Sequence, residues 1–361
     1  MKLNIEQQHL QQLLSRVIGV TPKRVTIPIL ANVKLTAADG YLKAVATDLD
    51  MEISTKVPAD VEQPGETTVI AAMLSAIAAK MPKEKLVSIQ TNDQYLHVKS
   101  GRTKFKLATL DAADFPVFSA ENFDASLTFD GEALRNALEK TVWAASSDEV
   151  RYFLQGIAMQ FIDGSPVFIA TDGHRLARFA SEQSEPFPDV IIPTDTVRQM
   201  ISALGDGDAV LDVSQSKVRL THGDTVISSK IIDGTYPDWT RVLPKDNPNS
   251  VSLSSLEAKA AIERVTIVAT DRTRAVRFGV NDGDMTLTVQ DQTGGSATEV
   301  LTVEQDGENV EIGLNSRYAL DAFAQADKGM VKINYGGPMD TLSVEYESSP
   351  ELLVVTMPMR V

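Results

Sequence analysis

Apolar residues recur at three- and four-residue steps in six separate stretches of the chain. In residues 7–18, Leu10, Leu13, Leu14 and Val17 line one face at helical spacing. The same period predicts helices over 67–85, 131–145, 194–204, 254–265 and 315–328. Between them the pattern shortens to alternation. "YLHVKS", "KFKLATL", "KVRLTH", "TVISSKII", "DMTLTVQ" and "TLSVEYE" carry β-branched and aromatic residues between Gly, Asp and Asn turns, and read as strands.

The pattern runs three times. "TVIAAMLSAIAAKM" (68–81), "VIIPTDTVRQMISAL" (190–204) and "VEIGLNSRYALDAFAQA" (310–326) each pass from a β-branched start into a helix, and Ile70, Ile191 and Ile312 are 121 residues apart. Pro116, Pro237 and Pro358, each after a bulky residue, keep the same spacing. Each third holds two helices and about eight strands, an α+β unit with enough apolar residues for its own core. The polar, turn-rich segments "SAENFDA" and "PKDNPNS" place the domains at 1–122, 123–245 and 246–361. Copies joined head to tail close into a ring or run on as a filament. Two such chains would supply six units and twelve helices.

Charge sharpens this picture. The chain carries a formal −15, which taken alone argues against a nucleic-acid partner. The six helical stretches, however, sum to +3, leaving −18 on strands and loops. Helices lining a hole could then hold a polyanion that the acidic exterior repels. The plainer reading is six ordinary solvated helix faces. Cysteine is absent, so thiolate chemistry, disulfides and Cys-type metal sites are excluded. Residues 1–20 lack a secretory pattern and no window has the apolar length of a membrane span, so the expected address is the cytoplasm.

Candidate chemistry is sparse. His9, His97, His174 and His222 form no metal-type pair. "ATDGHRLA" offers Asp172, His174 and Arg175 for acid–base work, but between "VFIA" and "LARFA" it reads first as a hairpin turn. The acids Asp206, Asp208, Asp282 and Asp284 lack EF-hand spacing and read as turns. Lys23 and Arg24 stand in a loop after the first helix, as solvated charges or as phosphate contacts. In "RYF", core packing is the default for Tyr152 and Phe153, and nucleic-acid stacking the alternative. The stretch "LLVVTMPMRV" (352–361) is either a last buried strand or the wall of a binding groove.

Seven segments, "TIPIL" (26–30), "TDLDME" (47–52), "SGRTKFKLATLDAADFP" (100–116), "VRYFLQG" (150–156), "ATDGHRLA" (170–177), "DGTYPDWTRVLP" (233–244) and "MPMR" (357–360), carry a resemblance across essentially the whole chain. The sequence resembles the bacterial DNA polymerase III beta subunits, the sliding clamps. The resemblance implies three clamp-type domains, each with two helices packed on antiparallel sheets, in a head-to-tail homodimer forming a six-domain ring around double-stranded DNA. It implies no catalysis, no cofactor and no metal. Its partners would be the polymerase III alpha subunit, the clamp loader, repair polymerases, ligase and mismatch-repair proteins, docked through short peptides.

By match of motif, the peptide groove would take Arg151, Leu154, Thr171, Gly173, His174, Arg175, Leu176, Pro237, Arg241, Val242, Thr341, Val355, Met357, Pro358, Met359 and Arg360. Apolar anchors of a peptide suit Leu176, Val242, Val355 and Met357, and methionine adapts to varied partners. DNA contacts carried over are Arg24, Tyr152 and Phe153, with Arg198 added because Thr194–Asp195 stand where many relatives are basic. At the seam, Leu74, Ile77, Phe105 and Leu107 would face Ile267 and Val268. Some relatives set an acidic run against Arg102 and Lys104; here "QTGGSATEV" holds only Glu299. Two other readings stand beside the clamp: an enzyme acting through "TDGHR", and a repeat scaffold that never encircles DNA.

Overall fold

The computed structural model describes residues 1–22, 24, 26–83, 85–92, 94–116, 118, 122–269, 275–291, 294–326 and 328–360. The first third runs β1 (Lys2–Glu6), α1 (Gln7–Val17), β2 (Asn32–Ala38), β3 (Tyr41–Thr47), β4 (Met51–Pro58), β5 (Asp60–Gln63), β6 (Gly65–Ile70), α2 (Ala71–Lys80), β7 (Leu86–Asn92), β8 (Tyr95–Ser100) and β9 (Thr103–Leu110). The second runs β10 (Ala125–Asp130), α3 (Gly131–Val142), β11 (Gly156–Ile162), β12 (Ser165–Thr171), β13 (Arg175–Ala180), β14 (Val190–Pro193), α4 (Thr194–Ala203), β15 (Asp208–Val213), β16 (Lys217–His222) and β17 (Thr225–Lys230). The third runs β18 (Asn249–Ser254), α5 (Ser255–Val265), β19 (Ala275–Asn281), β20 (Asp284–Gln290), β21 (Ser296–Thr302), β22 (Glu304–Asp306), β23 (Val310–Asn315), α6 (Ser316–Phe323), β24 (Met330–Tyr335), β25 (Leu342–Tyr346) and β26 (Leu352–Thr356). One order repeats: strand, helix, three strands, a further strand into the second helix, three strands. The first and third copies add one short strand.

The helices form where the period placed them. Leu10, Leu13, Leu14 and Val17 of α1 are all buried, and α1 packs on β3, β4 and α2. Capping fixes several starts. Asp130 Oδ1 accepts from Ala133 N at 2.9 Å, Asn315 Oδ1 from Arg317 N at 3.0 Å, and Ser254 Oγ from Glu257 N at 3.4 Å. The helix expected over 67–85 is only α2, residues 71–80, and that expected over 315–328 ends with α6 at Phe323. Thr67–Ile70 are β-branched and pair instead with β2, for example Val69 with Val33.

The repeat is also longer than the proline spacing implies. α1, α3 and α5 begin at Gln7, Gly131 and Ser255, 124 residues apart. Pro116 and Pro237 follow β9 and β17 by six and seven residues, whereas Pro358 follows β26 by two. The third proline is thus not equivalent to the others, because the copies differ in loop length. A truer signature lies in the hairpins. β2–β3, β11–β12 and β19–β20 turn at Asp39–Gly40, Asp163–Gly164 and Asp282–Gly283, each pair with positive φ (50 and 79°, 51 and 83°, 48 and 87°). Positive φ at both central residues defines a type I′ turn, which Asp-Gly favours.

The chain condenses into two compact units, residues 1–136 with 186–232 and residues 137–185 with 233–361. The middle third is shared out because its strands extend its neighbours' sheets. In the first unit one sheet runs β10-β15-β16-β17-β4-β3-β2-β6-β9-β8-β7-β1-β5. Here β17 of the second copy pairs with β4 of the first, Ile227 opposite Ile53. In the second unit the run β11-β12-β13-β26-β25-β24-β18-β22 joins β13 of the second copy to β26 of the third, Leu176 opposite Val355. A separate sheet there, β21-β20-β19-β23, packs against α5.

Candidate functional site

The β12–β13 hairpin is fastened by its own side chains. Asp172 Oδ1 accepts from His174 N at 2.9 Å and Arg175 N at 3.0 Å. Thr171 Oγ1 donates to Arg175 O at 2.6 Å and accepts from Gly173 N at 3.1 Å. Gly173 has φ of 90°, and a Cβ there would stand 2.6 Å from Arg151 Nη1, so the guanidinium lies close over the turn. Arg151 Nε in turn donates to Asp148 Oδ2 at 2.9 Å, a bond that holds the Asp148 carboxyl below its usual range.

Arg175 anchors the hairpin from beneath. Its guanidinium donates to Asp172 Oδ2 at 3.1 Å, to the Asp321 carboxylate of α6 and to Trp143 O at 3.0 Å. It also lies over the rings of Trp143 (5.0 Å) and Tyr318 (4.6 Å). With its side chain 9% exposed, Arg175 is a buried fastener rather than a free acid–base group. His174 stacks on Tyr318, centroids 6.3 Å apart, and remains exposed. Burial and the neighbouring Asp172 raise the Tyr318 hydroxyl pKa.

The 352–361 stretch begins as the buried strand it suggested. Leu352–Thr356 is the buried strand β26. Beyond it Met357 N donates to His174 O and Met359 N to Gly313 O, both at 2.9 Å, laying the tail beside the hairpin. Met357, Pro358 and Met359 are half-buried and Arg360 is exposed, while Val361 lies outside the described residues. Leu154, Leu176 and Val355 are buried, and Ser146 N bonds Leu154 O at 2.9 Å. Thr341 stands next to Leu342, which pairs with Thr356. Its carbonyl accepts from Asn247 Nδ2 at 3.1 Å. Pro237, Arg241 and Val242 sit on or beside the turn Trp239–Val242, which Trp239 Nε1 fixes to Gln160 Oε1 at 2.9 Å. No hydrogen bond among the described residues ties these three to the hairpin. Arg241 instead donates to Asp238 Oδ2 at 3.0 Å.

Trp143, Tyr318 and Asp321, which orient the hairpin, were not foreseen. They lie 32, 143 and 146 residues from Arg175 in sequence, and no local pattern joins them. A separate cleft of about 560 Å³, lined by Ser252, Glu304, Met330, Lys332 and Glu345 among others, shares no residue with this constellation.

The remaining expected contacts are dispersed. Arg24 is exposed in the α1–β2 loop, and Lys23 lies outside the described residues. Tyr152 is 51% exposed, which sets it outside the core, and Phe153 is half-buried, their rings edge to face at 5.7 Å. Arg198 donates to Asp195 Oδ1 at 3.1 Å on its own helix, an exposed pair worth about 0–1 kcal/mol. Of the seam set, Leu74 has no exposed surface, and Ile77 and Leu107 have little. These side chains serve their own core. Phe105 (36% exposed) and Ile267 (80%) carry free apolar surface, as does Val300; Val268 is half-buried. Glu299 already binds Arg264 through two hydrogen bonds, so it is not a free acid for another chain.

Comparisons with known proteins place this arrangement. Family models for the N-terminal, central and C-terminal domains of the DNA polymerase III beta subunit match residues 1–119, 128–238 and 240–360. The beta sliding clamps of Caulobacter vibrioides and Escherichia coli K12 are 36% and 32% identical, each over 100% of both chains. A sliding clamp from Bartonella birtlesii bound to griselimycin superposes with a TM-score of 0.96 at 32% identity, and Caulobacter crescentus pol III beta with 0.91 at 36%, both covering 100% of each chain. Three matched domain models and full-length identity above 30% converge: the chain belongs to the DNA polymerase III beta-subunit family, the sliding clamps.

Proposed function

We propose that two copies of this chain close head to tail into a ring that encircles duplex DNA and slides on it as a processivity factor, without turnover of its own. The observation that carries the reading is a strand-pairing series. β4 pairs with β17, joining the first and second copies, and β13 pairs with β26, joining the second and third. The strands left at the equivalent places are β21 and β9. β21 is a sheet edge, and β9 meets β6 only through Thr109 and Leu110, so Thr103–Ala108 keep an open edge. Open edges invite another chain. Pairing β21 of one copy with β9 of the next completes the series twice and closes six domains. Phe105, Ile267, Val268 and Val300 then supply the apolar seam, with Ile77 and Leu107 beneath.

DNA would meet the helices, which carry a formal +2 against −17 for the remainder. Arg24, Tyr152, Phe153 and Arg198 are the proposed contacts. They touch phosphate and sugar and read no sequence. The hairpin and tail form the proposed peptide site, with Leu176, Val355 and Met357 as apolar wall and His174, Arg151 and Arg360 as polar rim; Val242, Pro237, Arg241 and Thr341 extend it. The polymerase alpha subunit, the clamp loader, repair polymerases, ligase and mismatch-repair proteins are the partners proposed for it, all in the cytoplasm. The domain boundaries proposed are 1–122, 123–245 and 246–361. Light scattering across a dilution series tests the ring. The expected mass is about twice 39.2 kDa down to sub-micromolar chain, and a single-chain mass at micromolar concentration contradicts it.

A further inference from the structure

The sheet of the first third has an unneutralised basic face. Leu96, Val98 and Leu107 turn inward from β8 and β9, and the alternate residues turn outward. Two rungs cross four strands on that outward face. One is Lys2–Gln90–His97–Lys106, the other Asn4–Ser88–Lys99–Lys104. Lys99 and Lys104 are directly opposed, and like charges so placed destabilise a sheet. Arg102 stands on the turn beside them, next to Gly101 with φ of 58°. Among the described residues no carboxylate comes within ion-pair reach of Lys99, Lys104 or Lys106. The acids on this face among the described residues, Glu6, Asp60 and Glu62, lie on β1 and β5, roughly 10 Å or more from β8 at sheet spacing. Glu62 is already bound by Lys2 and Asn4.

The same fold elsewhere in the chain neutralises its cations. On the equivalent β16–β17 pair, Arg219 meets Asp212 at 2.7 Å and Lys230 meets Asp50 at 2.9 Å. Ring closure does not neutralise the first copy's lysines either. Glu299 pairs with the buried Leu287 and so faces the helix side of β21, where Arg264 takes it. A ladder joins like faces, so Thr298, Val300 and Thr302 would come beside Lys104 and Lys106, with Asp284, opposite Thr302, one strand further away.

We propose that Lys99, Lys104 and Lys106, with Arg102, form a phosphate-binding patch for a nucleic-acid strand on the outside of the protein, beside the seam; this rests on the clamp reading. A polyanion is favoured over an acidic protein partner because both rungs are polar throughout, and Leu86, exposed beside them on β7, is a single apolar side chain rather than an apolar patch. Of the rings on this face, Tyr95 is capped by Lys106 Nζ at 3.8 Å and His97 is half-buried within its rung, while Phe105 of β9 turns to the opposite face. Protein interfaces are centred on apolar and aromatic anchors, whereas phosphate binding is driven by charge and counterion release alone.

The test is fluorescence anisotropy of a labelled sixteen-nucleotide oligo-dT with the full chain across a salt series. The variant combines Lys99→Gln, Lys104→Gln and Lys106→Gln. A charge-matched control combines Lys245→Gln, Lys328→Gln and Lys332→Gln. The patch variant is expected to bind about tenfold more weakly at low salt, with a log K against log salt slope smaller by about 2, as three lost single-strand phosphate contacts require. The control is expected to stay within about twofold of the parent. Equal affinity and slope in variant and parent, equal losses in the control, or displacement of oligo-dT by oligo-glutamate at equal charge would each overturn the patch. Retention on circular DNA, measured on the same proteins, separates the two readings. A parent that is never retained contradicts the ring, while a variant that is retained yet binds oligo-dT like the parent contradicts only the patch.

Discussion

Deleting residues 357–361 is expected to weaken binding of a partner peptide with leucine and phenylalanine anchors by about 10- to 100-fold, with dimer mass and fold intact. Met357, Pro358 and Met359 are half-buried against the hairpin, and the tail is fastened through Met357 N and Met359 N. Removing it strips one wall from the site while leaving the β13–β26 ladder, which ends at Thr356. Burial of a large apolar side chain is worth about 1.5–3 kcal/mol, and each 1.4 kcal/mol is about tenfold in affinity. Losing the wall that receives one anchor therefore costs one to two decades. Anisotropy of the labelled peptide measures it. Unchanged affinity in the shortened chain would move the peptide site away from the tail.

Ile267→Asp is expected to turn the dimer into a monomer at micromolar concentration. Ile267 is 80% exposed within its own chain, immediately after α5, which packs on β20 and β21. A carboxylate there must be desolvated against Phe105 of the next copy, and an unpaired buried charge is costly. Each ring has two seams, so the penalty acts twice. A dissociation constant raised by at least about a hundredfold, near 2.7 kcal/mol, is the expected reading by light scattering. Leu86→Asp, at a comparably exposed leucine on β7, is expected to leave the mass unchanged. Equal dissociation by both substitutions would mean that the seam is elsewhere.

Much of the architecture was legible because it rests on local periodicity. Leu10, Leu13, Leu14 and Val17 announce α1, and the strands "YLHVKS" and "KVRLTH" appear as β8 and β16, with the same bounds. The hairpin reading of "ATDGHRLA" also stands, as β12 and β13 with Gly173 at the turn. What failed had physical causes. α2 reads "AAMLSAIAAK", almost wholly apolar, so its period marks no single face and the burial of Leu74 was invisible. The sharing of the middle third between two units depends on which strand edges lie open, which composition does not record. In the site, the resemblance reached Arg175 and His174 through their motif. It did not reach the Trp143, Tyr318 and Asp321 that hold Arg175, because those contacts span much of the second unit and have no spacing rule.

The proposed function gives the acidity a reading. A chain of net −15 that handles DNA needs its cations localised, and helices near neutrality with basic rungs on one sheet face provide that. In the proposed ring, long-range repulsion by the remaining surface would keep the protein from clinging to duplex it has not encircled.

The most direct test of ring closure is retention on DNA whose topology is changed. The dimer is loaded on nicked circular duplex, separated from free protein by gel filtration at a salt that screens surface contacts, and the circle is then cut once. The account predicts that protein co-elutes with the circle and runs free after the cut, since open ends let a closed ring slide off. Protein that stays with the linear duplex, or that never stays with the circle, contradicts it.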